Sequence, residues 1–561
     1  MACSEEVIAT FFGDEKFPVD WESEEEKKLH WFYDDTHCPF PISPMYADVG
    51  GWWGPTCAYM YRRFGAPFGK EWIAKVVNCY VYTTIVPRPP EEAKRIGPYY
   101  FKVMPRYATN FLQWWEERYR PEIEANLGYI DRTLASDPDL TDLMILLEDA
   151  LDIQERHFKI HWILNLAQFQ AFLDFRATYQ EVIGEIDEDN VGKILVSTDD
   201  RNWDSLRALW ELKEKVKASP VLRQAFEKDT AGPIKAELEA TPEGQKFLKE
   251  IEKYQVEYGN KAIYTHEYVY PTWRENPAPI LETIKAYLVA DYDFPKEHAQ
   301  CREQRDRAVE EMFSRVKDAA GKEKLRNALD LALRMAPLTP DHHFYIDQGT
   351  YARVRHVLMA IGRKMVEQGW LDHPEDVMML KYNELRELFA DPTQVDARAL
   401  VAARRREREE ARRLVPPDWL GTITHWSLYE EPYKGLWGWP EKYHRWVERR
   451  EEAVVETIKG LPASPGVVEG TARVVESPAE FDRVREGDIV VCKMTNPAWV
   501  VLFTKIRGLV TDSGGVLSHP AIVSREFGIP AVTGTTVATR TISTGQRVRV
   551  DGTAGVVYIL A

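Results

Sequence analysis

Near residue 460 the apolar pattern changes period, and this change limits the folds open to the chain more than any other feature. Before it, apolar side chains recur at three- and four-residue steps. Between 143 and 185 the series runs through Leu151, Phe158, Trp162, Leu166, Phe169 and Leu173, the spacing of one helix face. A second helical stretch is predicted over 348–368, from Gln348 through Val354, Leu358 and Met365, stopping near Gly369. The 398–414 segment, with Arg404, Arg405, Arg406, Glu407, Arg408, Glu409 and Glu410, reads as a charged, exposed helix ended by Pro416 and Pro417. From about 462 onward, short β-branched runs alternate with Gly and Pro. Strands are predicted at Val467–Val475, Asp488–Cys492, Gly508–Thr511, Ala531–Thr533, Arg547–Val550 and Val556–Leu560, with one helix from about Pro520 to Phe527.

The expected fold class is therefore multidomain. A large, mostly α-helical substrate domain would span 1–455, with a further division near 140 as an option. A C-terminal α/β domain would span 456–561, with a hinge just before Pro462, Pro465 and Gly466. A chain of 561 residues is too long for one core. The first 140 residues resist a simple reading. They are dense in aromatics such as Trp31, Phe32, Tyr33, Trp72, Tyr80 and Tyr82, and Gly50-Gly51-Trp52-Trp53-Gly54-Pro55 has the glycines of a turn but no lysine of a phosphate cradle.

A net charge of −17 argues against a nucleic-acid surface and a basic membrane face. No apolar run approaches the ~20 residues of a membrane helix, and the N-terminus lacks the charged and apolar regions of a signal peptide. Six scattered cysteines without CxxC spacing fit reduced thiols. A cytoplasmic location is expected.

The chemistry points to His519, in Asp-Ser-Gly-Gly-Val-Leu-Ser-His-Pro-Ala-Ile-Val-Ser-Arg-Glu (512–526). Ser518 suits an N-cap and Pro520 suits a first helical turn. His519 would then stand where the helix dipole and free backbone N–H groups favour an anion, such as a phosphoryl group on its imidazole. Gly514 and Gly515, with Ser518, form the candidate phosphate loop and allow close approach by a partner site. Near its ordinary pKa of ~6.5 the imidazole keeps a large neutral, nucleophilic fraction at cytosolic pH.

Several segments together resemble the mobile phosphohistidine domain of the phosphoenolpyruvate-utilising enzymes. They are Pro462-Ala-Ser-Pro-Gly-Val-Val-Glu-Gly-Thr-Ala-Arg-Val-Val475, Thr495-Asn-Pro-Ala-Trp-Val-Val-Leu-Phe503, Gly514-Gly-Val-Leu-Ser-His519, Arg525-Glu-Phe-Gly-Ile-Pro-Ala-Val532 and Gly545-Gln-Arg-Val-Arg-Val-Asp-Gly552. The resemblance places the family's phosphorylated histidine on His519. Pro520 stands where the family often has a small residue, and Ser524 where alanine is common. The resemblance also suggests Thr495 and Arg525 as phosphoryl contacts.

The 1–460 region shows no ATP-grasp stretch, and no phosphoenolpyruvate-binding barrel follows the histidine domain. In organisation the chain is therefore similar to the histidine-carrying subunit of phenylphosphate synthase, and also to the C-terminal two-thirds of rifampicin phosphotransferase. The resemblance implies a separate ATP-grasp subunit as partner, ATP and Mg bound there, cleavage of ATP to AMP and phosphate, and a small aromatic alcohol as acceptor. The product would be an aryl phosphate. Alternatives are an antibiotic or other small-alcohol phosphotransferase with a detached ATP domain, and a non-catalytic phosphocarrier or regulatory protein.

Acceptor-side candidates lie in the helical region. His157 and His161 are four apart on one helix face, and either is a candidate general base. Without a third ligand the pair is not read as a metal site. His342, His343, Arg353, Arg355 and His356 cluster around Tyr345 and Asp347. Of these, His343 is a candidate substrate contact, and Arg353 or Arg355 a candidate for neutralising a phosphoryl group.

Overall fold

A computed structural model describes residues 6–35, 37–51, 55–228, 230–289, 291–429, 457–475, 478–495, 499–503, 505–514 and 519–560. At His519 it describes the backbone alone. The chain divides into two units. The first comprises Met1–Asp174, Tyr264–Tyr270 and His342–Gly435, and the second comprises Phe175–Ile263, Pro271–Asp341 and Leu436–Ala561.

In the first unit, the aromatic N-terminal region builds a sheet that helical periodicity does not foretell. Its strands are β1 (Val7–Phe11), β2 (His30–Tyr33), β3 (Gly69–Val77), β4 (Tyr80–Pro87) and β5 (Trp419–Thr424). They pair antiparallel in the order β1-β5-β2-β4-β3. Asn78 and Cys79 join β3 to β4, both at positive φ (50° and 64°), the backbone that a tight two-residue hairpin requires. Phe17, Trp31, Tyr33, Val77, Tyr80, Tyr82 and Leu420 form one buried cluster against this sheet. The N-terminal aromatics are thus largely core, where each buries a large apolar area.

Long helices complete this unit. Pro90–Trp114 runs into a π-helical turn at Trp115–Tyr119, and Arg120–Ala135 follows. The predicted 143–185 helix is observed as Leu140–Ile183, within which the division between units falls at Asp174. The predicted 348–368 helix is Gly349–Glu367, entered through a π-helical turn at His343–Gln348. The charged helix is Ala397–Ala411.

The second unit joins helices to the C-terminal α/β region. The helices include Arg201–Ala218, Pro242–Tyr258, Ala278–Val289 and Phe294–Ser314. The strands of the α/β region are β6 (Thr457–Lys459), β7 (Leu461–Ser464), β8 (Val467–Val474), β9 (Ile489–Cys492), β10 (Gly508–Thr511), β11 (Ala531–Thr533), β12 (Arg547–Asp551) and β13 (Val556–Leu560). Their order is β6-β13-β12-β8-β9-β10-β11-β7. The β8-β9-β10-β11 segment is parallel, and the flanks are antiparallel. Ile489, Val491, Val510, Val532, Val548 and Val550 fill its core, as expected where a parallel sheet is buried.

Among the described residues, no helix is long and apolar enough to cross a membrane. Among the described residues, the five cysteines form no disulfide.

Candidate functional site

His519 begins the helix His519–Glu526, which follows β10. At the carboxyl ends of β9 and β10 the chain continues in register: the Asp512 N–H donates to the Cys492 carbonyl at 3.0 Å, and the Ser513 N–H to the Lys493 carbonyl at 2.8 Å. The segments leading to Thr495 and to Gly514 therefore leave neighbouring parallel strands side by side. This is the end of an α/β sheet where ligands bind.

Thr495 is buried. Gly514 has a φ of 115°, a conformation open mainly to glycine. Gly515 and Ser518 lie outside the described residues. Arg525 sits in the last turn of the helix, six positions after His519 and so about 9 Å along the helix axis at ~1.5 Å per residue.

Asp512 was quoted in the motif but given no role, and it anchors the loop. Its carboxylate is buried and accepts from the Thr539 N–H at 3.1 Å, from the Thr539 hydroxyl and from Thr535 Oγ1. Burial pushes its pKa up, against the bonds from Thr539. Beyond the helix, Phe527 stacks on Tyr292 with centroids 5.5 Å apart and rings 14° from parallel. The histidine helix also packs on Phe294–Ser314 of the same unit.

A second constellation lies in the first unit, around Asp347. The π-helical turn is responsible: its wider, i→i+5 winding sets both His342 and His343 one turn from Asp347. His343 Nδ1 is 2.7 Å from Asp347 Oδ2, and His342 Nε2 is 3.9 Å from the same oxygen. From the Leu140–Ile183 helix, His161 brings Nδ1 to 3.3 Å from Asp347 Oδ1, and its Nε2 meets the Asn165 amide at 2.7 Å. The His161 and His342 rings meet edge to face, 4.7 Å apart. Burial would push the Asp347 carboxyl up, but the neighbouring His161 and His343 imidazoles hold it well below the carboxylate range.

The surrounding shell is polar and aromatic. His37 holds Asp34 at 2.7 Å and packs edge-on to His266 at 5.0 Å. Burial drives the His266 imidazole well below its ordinary pKa. Tyr351 donates to the Gly50 carbonyl at 2.8 Å and packs against His266, Tyr268 and Phe158.

The other acceptor-side candidates go elsewhere. His157 is fully buried, with Nδ1 2.8 Å from Thr350 Oγ1 and Nε2 3.2 Å from the Asn126 amide. Burial, helped by the charges of Arg156 and Arg353, lowers its pKa to about 3, so it is a neutral core group and not the base expected of it. The expected phosphoryl role of the two arginines gives way to internal bonding. Arg353 is buried and donates to Asp131 at 2.8 Å and to the Gly349 carbonyl. Arg355 is buried and donates to the Tyr268 carbonyl. A guanidinium held this way inside a core is not presented to a ligand. His161 and His343 do meet, and what joins them is Asp347. The sequence placed Asp347 within that cluster but gave it no role.

The two assemblies define a class: an α/β region carrying a histidine at a helix start beside parallel strand ends, in a chain that is otherwise largely helical. Comparison with known proteins agrees. Residues 484–555 match the PEP-utilising enzyme mobile domain, and residues 162–339 match the rifampicin phosphotransferase fourth domain. Residues 484–555 are thus similar to the mobile domain of the phosphoenolpyruvate-utilising enzymes.

Among its relatives, the uncharacterized phosphotransferase YvkC of Bacillus subtilis is 30% identical over 73% of this chain and 48% of its own length. Rifampicin phosphotransferase of Streptomyces sviceus is 31% identical over 58% of this chain and 36% of its own. Chondramide synthase cmdD of Chondromyces crocatus is 28% identical over 97% of this chain and 14% of its own. The chain thus spans less than half the length of these relatives. Rifampicin phosphotransferase replaces phenylphosphate synthase as the nearer comparison for its organisation.

Proposed function

We propose that the protein is a phosphotransferase in which His519 carries a phosphoryl group to the hydroxyl of a small molecule. The observation that carries this reading is the position of His519 at the start of a helix beside the carboxyl ends of parallel β9 and β10, in a segment matching the family's mobile domain. The helix N-terminus stabilises the added charge, and the covalent intermediate separates donor and acceptor chemistry in time.

The donor is ATP, bound with Mg on an ATP-grasp subunit; its β-phosphoryl passes to the His519 imidazole, AMP leaves, and one water cleaves off the γ-phosphate as inorganic phosphate. Thr495 and Gly514, at neighbouring strand ends, flank the phosphoryl group, and Arg525 is a further charge on the histidine helix. The acceptor hydroxyl loses its proton to His343, which Asp347 orients through Nδ1 as a base needs to be oriented. A ring-bound hydroxyl, phenolic in the first instance, is the acceptor class. The relatives named for rifampicin support a small molecule of that general kind.

The test mixes the chain with its ATP-grasp subunit, Mg and ATP labelled in the β-phosphate, then adds a panel of phenols and other hydroxylated aromatics. Label is expected on His519 and then on an acceptor. Acceptor phosphorylation that persists in His519→Ala would sink the covalent mechanism. Label that reaches His519 but passes only to another protein would favour the phosphocarrier reading.

A further inference from the structure

We propose that His161, His342 and Asp347 form a binding site for one divalent cation of the zinc class. Their donor atoms all lie within 4.8 Å of one another. Tetrahedral zinc with bonds of about 2.0–2.2 Å to nitrogen and oxygen needs ligand atoms roughly 3.4 Å apart. The observed separations are 3.3 Å from His161 Nδ1 to Asp347 Oδ1 and 3.9 Å from His342 Nε2 to Asp347 Oδ2. Those two separations run to the two different carboxylate oxygens, and the set as a whole, within 4.8 Å, has to draw in by up to about 1.4 Å.

A second observation points to a ligand. His161 Nδ1 and Asp347 Oδ1 are both buried and face each other, yet neither makes a well-aligned hydrogen bond. Asp347 is only 3% exposed. Buried polar atoms left this way are destabilising, and a cation between them would satisfy both.

The surroundings have the features of a metal site. His161 Nε2 is held by Asn165 at 2.7 Å. With the amide oxygen turned toward the ring, an orientation set only by the hydrogen-bond network, Nε2 carries the proton and Nδ1 presents its lone pair. Asp347 Oδ2 is fixed by His343 at 2.7 Å. Ligands steadied from behind in this way are a recurring property of bound metals. Two imidazoles and one carboxylate suit zinc and its neighbours better than magnesium or calcium, which prefer all-oxygen shells. Three protein ligands leave a position for water or a hydroxyl, whose proton a metal makes more acidic. The site itself does not depend on phosphoryl transfer, because its occupancy can be measured without any transfer assay.

The experiment uses the full chain stripped with a chelator, titrated with zinc against a chromophoric competitor and, separately, with cobalt(II) as a visible-absorption probe. One zinc per chain is expected, with an intense cobalt band of low coordination number. His342→Gln and Asp347→Asn should each weaken binding by at least tenfold, and Asn165→Ala by a smaller factor. Far-UV circular dichroism identifies any variant that fails to fold, and His342→Gln keeps a polar side chain of similar reach for that reason. Absence of stoichiometric zinc binding to the wild-type chain overturns the proposal. So does binding that His342→Gln leaves unchanged, which would place the ion elsewhere.

Discussion

His343 Nδ1 lies 2.7 Å from Asp347 Oδ2, four residues along one π-helical turn. With Nδ1 donating to the carboxylate, Nε2 is the nitrogen left to act as the proposed base. His343→Ala should slow transfer to acceptor by about 10²–10⁴-fold, the range of a positioned base, while labelling of His519 continues at its normal rate. Single-turnover assays that separate the two steps check this. Equal slowing of both steps would remove His343 from the acceptor side.

Tyr292 and Phe527 stack 5.5 Å apart, joining the residue after the histidine helix to the helical part of its unit. Such pairs contribute about 0.5–1.5 kcal/mol beyond the area they bury. Tyr292→Ala should therefore raise the opening rate of the His519–Glu526 helix, seen as up to roughly tenfold faster amide hydrogen exchange there. Unchanged exchange would mean that this contact does not restrain the helix.

Gly514 at φ 115° fixes the loop between β10 and the histidine helix. Gly514→Ala places a Cβ where L-residues are strained by about 1–2 kcal/mol. The loop should shift and His519 labelling should slow, with little change in the unfolding midpoint of the first unit. Normal labelling kinetics would count against a shaped phosphate loop.

His30 and His157 are buried, and burial brings both pKa values down to about 3. Unfolded, each titrates near 6.5. Between those values the unfolded chain binds protons that the folded chain does not, so stability is fully present above about pH 6.5 and falls as pH drops toward 3. Each unit of difference corresponds to about 1.4 kcal/mol. His157→Gln should flatten the decline of the urea midpoint between pH 6 and pH 4. A parallel decline in both proteins would show that His157 is not a source of it.

The C-terminal domain was legible because its elements are local. β10, β11 and β13 fall on the predicted residues, and the histidine helix is displaced by one. Each is a short β-branched or capped segment bounded by Gly or Pro, so neighbouring residues dictate it. The first unit's sheet was hidden because β5 enters it from residue 419, between β1 and β2. No periodicity reports a partner nearly four hundred residues away. The density of N-terminal aromatics left their role open for the same reason, and pairing places Trp31, Tyr80 and Tyr82 in the core.

The two histidine sites divide along the same line. His519 is specified by its own neighbours, since an N-cap serine, a following proline and preceding glycines act within a few residues of chain. The Asp347 cluster is specified by folding. Helical spacing put His157 and His161 on one face, but packing buries His157 against Thr350 and Asn126 and turns His161 to Asp347. Charge and hydrogen-bond partners across helices are set by tertiary packing, which spacing along one helix does not encode. The sequence by itself determined the proposed carrier histidine and the α/β region around it; only the tertiary structure decided which buried groups gather around Asp347.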